Sequence, residues 1–224
     1  MTGVAAVTFD AMGTLVAIEP PAPRLQRSLA RRLGLELELS RCEAAMRVEM
    51  RHYRANCTRA ADLPALASLR LECSSLLADA LAIDVSGAEL LPSLTDAISF
   101  YAFPDARPAL DRLAAAGIRL AVIANWDVSL RDVLDRLGLA GSFETVVTAA
   151  EVGVAKPDPR PFEVALERLG VEAASCLHVG DDPLTDVAGA QAAGISATLV
   201  DRSGRSADSL RDLGELVARL EPAA

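Results

Sequence analysis

The sequence predicts an α/β fold: a doubly wound parallel sheet with an α-helical segment inserted after its first strand. Three observations carry this. A short apolar strand, Val4 to Phe9, stops on a carboxylate, Asp10. From about Asp105 onward, short apolar runs alternate with segments of helical period, and the helices stop at Gly117, Gly138, Gly170 and Gly194. The stretch between reads as helix throughout, with no βα unit. Repeated β-then-α with glycine stops implies a parallel sheet covered on both faces. Right-handed crossovers then bring the C-terminal ends of all strands to one rim, where open α/β sheets bind ligands.

The elements follow in order. After Phe9-Asp10-Ala11-Met12, Gly13 permits a sharp turn and Thr14 offers a hydroxyl. Pro20, Pro21 and Pro23 then break regular structure. Leu25, Leu29 and Leu33 recur at helical spacing before Gly34. Ser40 is a candidate N-cap for a long helix through Cys42, Met46 and Met50. A leucine-rich helix over Ala65 to Ile83 follows, then a fourth after Ser86. These boundaries divide the chain into a core, residues 1–16 and 100–224, and a helical insert, residues 17–99.

In the second half, a helix over about Arg107–Ala116 leads to strand Arg119–Ala124. A helix over Val128–Leu137 leads to a strand over Glu144–Thr148. A helix over Pro161–Leu169 leads to strand Cys176–Val179, and one over Pro183–Ala193 to strand Ile195–Val200. A last amphipathic helix spans about Ala207–Leu220.

Composition narrows the function. The net charge of -9 argues against nucleic acid or an anionic membrane as the main partner. The four cysteines are far apart and form no Cys-x-x-Cys, which reads as reduced and structural. No basic segment precedes a long apolar one at the N-terminus, and no apolar run approaches ~18 residues, so a cytoplasmic protein is expected. Of 22 basic residues only Lys156 is a lysine. A site that needs a compact point charge rather than a planar fork would keep such a residue.

The rim gathers polar groups. The first strand delivers Asp10, and the second Asn125, Trp126 and Asp127. The third leads to Glu151 and then Lys156-Pro-Asp-Pro159, and the fourth ends in Gly180-Asp181-Asp182-Pro-Leu-Thr-Asp186. Crowded carboxylates repel unless a cation offsets them. Lys156 offsets one, and a hard divalent ion, Mg²⁺ by its preference for oxygen, would offset the rest.

The order Asp10-x-x-Gly-Thr, helical insert, strand with Asn125, Lys156-Pro and Gly-Asp181-x-x-x-x-Asp186 resembles the haloacid dehalogenase superfamily over nearly the whole chain. The resemblance implies a Rossmann-like core with the insert as a helical cap. It implies Asp10 as nucleophile of a covalent aspartyl intermediate, steadied by Lys156. It implies Mg²⁺ held by Asp10, Asp181 and the backbone carbonyl of Met12, with Asp186 in support. Thr14 and Asn125 would contact a small, phosphorylated substrate.

Two positions depart from that pattern. Phosphatases of this family carry a second Asp two residues after the nucleophile as general acid and base, where this chain has Met12. Losing such a group typically costs ~10²–10⁴ in rate. The hydroxyl residue expected at the end of the second strand is Ala124. A halide leaving group needs no proton, and Phe9-Asp10-Ala11-x-Gly13-Thr14-Leu15 resembles the 2-haloacid dehalogenases of the same superfamily. The acidic run at 181–186 resembles the phosphatases, and three acids have no role in a metal-free site for an anion. The expected function is therefore a Mg²⁺-dependent hydrolase of phosphorylated metabolites, with slow turnover or a good leaving group. A dehalogenase and a non-catalytic binding module are the alternatives.

Other residues have two readings each. Trp126 lines the pocket or anchors packing. Asp181 is a metal ligand or the N-cap before Pro183, a role Asp182 can take instead. His178, in an apolar strand, reads as buried and hydrogen-bonded, and His52 as a surface residue. Arg47, Arg51 and Arg54 share a helical face. They bind a substrate anion there, or form a solvated face with Glu43 and Glu49.

Overall fold

A computed structural model describes residues 3–206 and 208–220. The chain divides into two compact units, one comprising residues up to Ala17 and from Ala102 onward, the other Ile18–Tyr101.

The first unit is built on a five-stranded, all-parallel sheet in the order β5-β4-β1-β6-β7. Its strands are β1 (Ala6–Phe9), β4 (Arg119–Ala124), β5 (Thr145–Thr148), β6 (Cys176–Gly180) and β7 (Ser196–Leu199). β1 lies at the centre: Phe9 pairs with Val122 on one side and Val179 on the other. All four of its residues are buried, as a central strand covered on both faces requires. The chain continues from β1 into Asp10, whose N–H still donates to Val179 O at 2.9 Å. The nucleophile candidate is thus the first residue past the ladder and shares its rigidity.

Helices cover the sheet. α8 (Arg160–Leu169) packs on β4 and β5, where Phe162, Ala165 and Leu169 meet Ala121, Ile123 and Val147. Strand alternation turns Leu120 and Val122 to the other face, where α5 (Ala106–Ala115) contacts β4 and packs against α10 (Leu213–Leu220). α6 (Leu130–Arg136) and the single turn α7 (Ala149–Val152) complete the crossovers. The parallel, doubly wound, Rossmann-like architecture is the one the sequence predicts.

Local differences are informative. The segment expected as one helix from Pro183 to Ala193 is a π-helical stretch, Pro183–Ala188, followed by the short α9 (Gly189–Ala192). Widened turns of this kind are frequent at functional sites, and here the stretch carries Asp186. Its N-cap is Asp182, whose Oδ1 accepts from the Leu184 and Thr185 N–H groups at 2.8 Å. Asp181 is therefore not engaged as the cap. The final helix begins at Leu213, later than expected. The residues before it form a loop around Asp201, and Ala207, the expected start, lies outside the described residues.

The second unit holds four helices: α1 (Pro21–Leu33), α2 (Leu39–Asn56), α3 (Leu63–Leu81) and α4 (Gly87–Ala97). Proline opens α1 and Gly34, at φ 67°, closes it. α2 starts after Glu38, so Ser40 lies inside the helix rather than capping it. Asp62 caps α3, and Ser86 with Glu89 forms a capping box on α4. Two short strands, β2 (Val16–Ile18) and β3 (Phe100–Ala102), pair where the chain passes between the units. Three residues are too few to show a period, so neither strand is visible in the sequence. Glu49, expected on a solvated face, is only 5 % exposed. Burial pushes its carboxyl pKa up, opposed by a hydrogen bond with Cys73 and the charge of His52. Among the described residues no helix is long and apolar enough to cross a membrane.

Candidate active site

The C-terminal ends of β1, β4 and β6, with the loop after α7, bring together Asp10, Lys156, Asp186 and Asp181. Lys156 is 3 % exposed, and its ammonium donates three hydrogen bonds: to Asp10 Oδ1 at 2.7 Å, Asp186 Oδ1 at 2.6 Å and Ile123 O at 2.7 Å. An ammonium has three protons, so its donor capacity is filled. The only lysine of the chain is a fixed point charge between two carboxylates.

Asp181 completes a group of three carboxylates: one oxygen from each of Asp10, Asp181 and Asp186 lies within 4.8 Å of the others. Asp10 and Asp186 are buried, whereas Asp181 stands at the exposed edge. Two glycines make this crowding possible. Gly13 turns the chain at φ 83°, and a Cβ there would collide with the Asp181 carboxyl. A Cβ on Gly180 would collide in the same way with Asp186.

The electrostatics follow from three acids sharing one base. Burial, with the charges of Asp186 and Asp181 added, pushes the Asp10 pKa up to about 7 despite Lys156. Burial and Asp186 push Asp181 up to about 6. Asp186 goes the other way: burial opposes its ionisation, but hydrogen bonds from His178 and Lys156 hold it well below the usual carboxylate range. Lys156 stays protonated, since the two carboxylates outweigh its burial. One ammonium does not neutralise three carboxylates, so the site has excess affinity for protons or cations. Clustered oxygen donors are what a hard divalent ion takes. The buried Thr14 Oγ1 has no hydrogen-bond partner, a cost that a ligand oxygen would relieve.

Asn125 is fully engaged with the backbone of Lys156. Its Oδ1 accepts from Lys156 N at 2.7 Å, and its Nδ2 donates to Lys156 O at 2.9 Å. It locks the lysine loop onto the end of β4. The neighbouring Trp126 is 6 % exposed, and its backbone links Ala124 O to Ala150 N. Met12 is half-buried in the turn and bridges to Val16. Arg47, like Arg51 and Arg54, is exposed on α2 in the other unit.

His178 supports the acids from beneath. It is completely buried, and burial lowers its pKa to about 4, so its ring is neutral at pH 7. Its Nδ1 lies 2.9 Å from Thr8 Oγ1, and its Nε2 3.5 Å from Asp186 Oδ1. Ionised Asp186 can only accept, so the Nε2 side carries the proton and Nδ1 accepts from Thr8. The apolar strand pattern announced a buried histidine, and its partner eight residues on follows only from the turn after β6.

A family model for haloacid dehalogenase-like hydrolases matches residues 4–194. A mouse protein, haloacid dehalogenase-like hydrolase domain-containing protein 3, is 32% identical over 214 residues, covering 92% of this chain and 85% of that one. Phosphatase MT3486 of Mycobacterium tuberculosis is 42% identical over 124 residues, or 54% of this chain and 57% of that protein. Among solved structures, a 2-haloacid dehalogenase from Pseudomonas syringae superposes with a TM-score of 0.65 at 27% identity, covering 97% of this chain and 100% of that one. The chain belongs to the haloacid dehalogenase-like hydrolase family.

Proposed function

We propose that this protein is a Mg²⁺-dependent phosphohydrolase of small phosphorylated metabolites, acting through an aspartyl-phosphate on Asp10. The observation that carries the reading is the Lys156 ammonium bridging Asp10 and Asp186 beside Asp181. A metal-free site for a haloacid's carboxylate has no use for three clustered acids. The 42% identity over 124 residues to a mycobacterial phosphatase supports the same side.

Asp10, Asp181 and the Met12 carbonyl would hold the ion, with Asp186 in support. When bound, it supplies positive charge that offsets the acids and the phosphoryl oxygens. The residues do the rest. Lys156 keeps one Asp10 oxygen in a fixed direction. The other oxygen attacks phosphorus in line, and the bond to the leaving oxygen breaks, so that the alcohol departs as an oxyanion that solvent water protonates. Met12 supplies no proton, so ester oxygens that leave readily are favoured. Water then attacks the aspartyl-phosphate, releasing phosphate and restoring Asp10. Asn125 acts by positioning Lys156, and the Thr14 hydroxyl is free to meet a substrate oxygen.

Beryllofluoride mimics the aspartyl-phosphate and requires no acid at position 12. Fluorine NMR should show Mg²⁺-dependent binding that is lost in Asp10→Asn. No signal from the folded protein would refute the proposal. The second reading, a 2-haloacid dehalogenase, is favoured by Met12 and by the Pseudomonas syringae structure. Chloride release from 2-chloropropionate with metal chelated would establish it.

A further inference from the structure

We propose that Arg202 is a positioning residue for the turn that follows Asp10, holding the Gly13–Thr14 backbone in the geometry the reaction needs. The inference deepens the proposed function and rests on it.

The turn is tied internally by three backbone bonds: Gly13 N to Val16 O at 2.8 Å, and Leu15 N and Val16 N to Ala11 O, each at 2.9 Å. These bonds fix its inner side. Its outward carbonyls are held from the far end of the sequence. The Arg202 Nη2 donates to Thr14 O at 2.7 Å and its Nε to Gly13 O at 3.3 Å. The third edge, Nη1, donates to Asp105 Oδ1 at 3.0 Å. A planar guanidinium presents donors along several edges at once, which an ammonium does not.

Arg202 is itself fixed. Its Cζ sits 3.7 Å from the centroid of the Phe103 ring, a contact favoured by the ring quadrupole. Asp105 accepts a second bond, from Leu213 N at 2.7 Å, at the start of α10. Burial works against ionisation of Asp105, but Arg202 and the Leu213 N–H overcome it and hold its pKa below the ordinary value. The loop carrying Arg202 is pinned by Asp201, which accepts from the Ser203, Arg205 and Ser206 N–H groups at 2.8–2.9 Å. Arg202 and Asp105 both have side chains 21% exposed, so the pairing is shielded from bulk water.

The consequence concerns Met12. Its carbonyl, one of the proposed metal ligands, and the buried Thr14 hydroxyl lie on either side of Gly13. Gly13 is the most permissive residue of the turn, and nothing in its own side chain restricts it. An external clamp on the next two carbonyls limits how far both groups can drift.

The test compares wild type, Arg202→Ala and Arg202→Lys. Hydrogen exchange of the Gly13, Leu15 and Val16 amides is measured without metal, and hydrolysis of p-nitrophenyl phosphate with Mg²⁺. Arg202→Ala should raise exchange at these amides by roughly tenfold or more while the sheet amides keep their protection. It should lower kcat by about 10–100-fold, as expected for displaced catalytic groups, with little change in KM. Arg202→Lys should fall between. Exchange within about twofold of wild type in a folded variant would overturn the proposal. So would a loosened turn with unchanged kcat. Failure of both variants to fold would overturn it too, in favour of a global structural role. A wild type without turnover whose turn loosens in Arg202→Ala would support the clamp and refute the phosphohydrolase reading.

Discussion

Replacing Lys156 with methionine tests the electrostatic account of the site most directly. The side chains have similar length, so packing changes little and the charge is what is lost. Lys156 is 3 % exposed, and its ammonium bonds two carboxylates and a carbonyl. Removing one partner of a buried ion pair typically costs about 3–5 kcal/mol. Here the cost depends on pH, because the stranded carboxylates can take up protons. In wild type, the Asp10 pKa is raised from 3.8 to about 7. Between those values the folded state holds a proton that the unfolded chain has released, so metal-free stability falls as pH rises through that window. Without Lys156, Asp186, which the ammonium keeps ionised in wild type, takes up a proton in the folded state, and Asp10 holds its own beyond pH 7. The variant's deficit therefore widens with pH, by about 1.4 kcal/mol per unit for each extra proton retained. We expect a deficit of roughly 1–2 kcal/mol at pH 5.5, growing to about 4–5 kcal/mol at pH 8, in urea melts with metal chelated. In thermal melts the pH 8 difference should reach roughly 10–15 °C for a chain of this size. A deficit constant within about 0.5 kcal/mol across this range would refute the shared-proton picture and leave Lys156 a packing residue.

Three further outcomes are expected, two at the same site and one in the helical unit. Met12→Asp places a carboxyl where a leaving oxygen could be protonated, and phosphomonoester hydrolysis should rise by ~10²–10⁴, read with p-nitrophenyl phosphate. Asn125→Ala removes two bonds to the Lys156 backbone. It should cost about 1–3 kcal/mol in urea melts and weaken beryllofluoride binding while Asp10 remains in place. Glu49 has its pKa raised by burial, so the folded helical unit binds a proton that the unfolded chain lacks, and stability falls as pH rises past the unfolded value of 4.5. Glu49→Gln should flatten the dependence of melting temperature on pH above 4.5, and an unchanged slope would count against that burial effect.

The parts of this molecule that were legible in the sequence are those that local chemistry dictates. Asp10 was visible because an apolar strand ended on it, and Lys156 because it is the only lysine. The parallel sheet followed from glycine-terminated helices alternating with apolar runs. The clamp on the turn was not legible: Arg202 is one of 21 arginines, and its partners Gly13, Thr14 and Asp105 lie 97 to 189 positions away. The burial of Glu49 was hidden for a related reason. Its helical position marks a face, but only the packing of α2 on α3 turns that face inward. The double engagement of Asn125 also escaped, because its partner is backbone, which carries no residue signature.

Met12 and the acidic cluster point in opposite directions only if the site is treated as one device. The geometry separates two tasks. Asp10, Lys156, Asp181 and Asp186 manage charge, and their hydrogen bonds and close glycines fix them in place without reference to Met12. In the proposed reaction, proton delivery to the leaving group is a different task, and the Met12 side chain has no proton to deliver. Charge management costs stability in the absence of a cation, as the raised Asp10 and Asp181 values indicate. Electrostatic crowding of this kind persists in folds where it serves binding or reaction. Under the proposed reaction, a site that keeps the first task without the second favours substrates whose leaving oxygen needs no help. Comparing p-nitrophenyl phosphate with an alkyl phosphate decides the point: wild type should strongly prefer the aryl ester, and Met12→Asp should narrow the gap. Equal rates on both esters in wild type would mean that another residue delivers the proton.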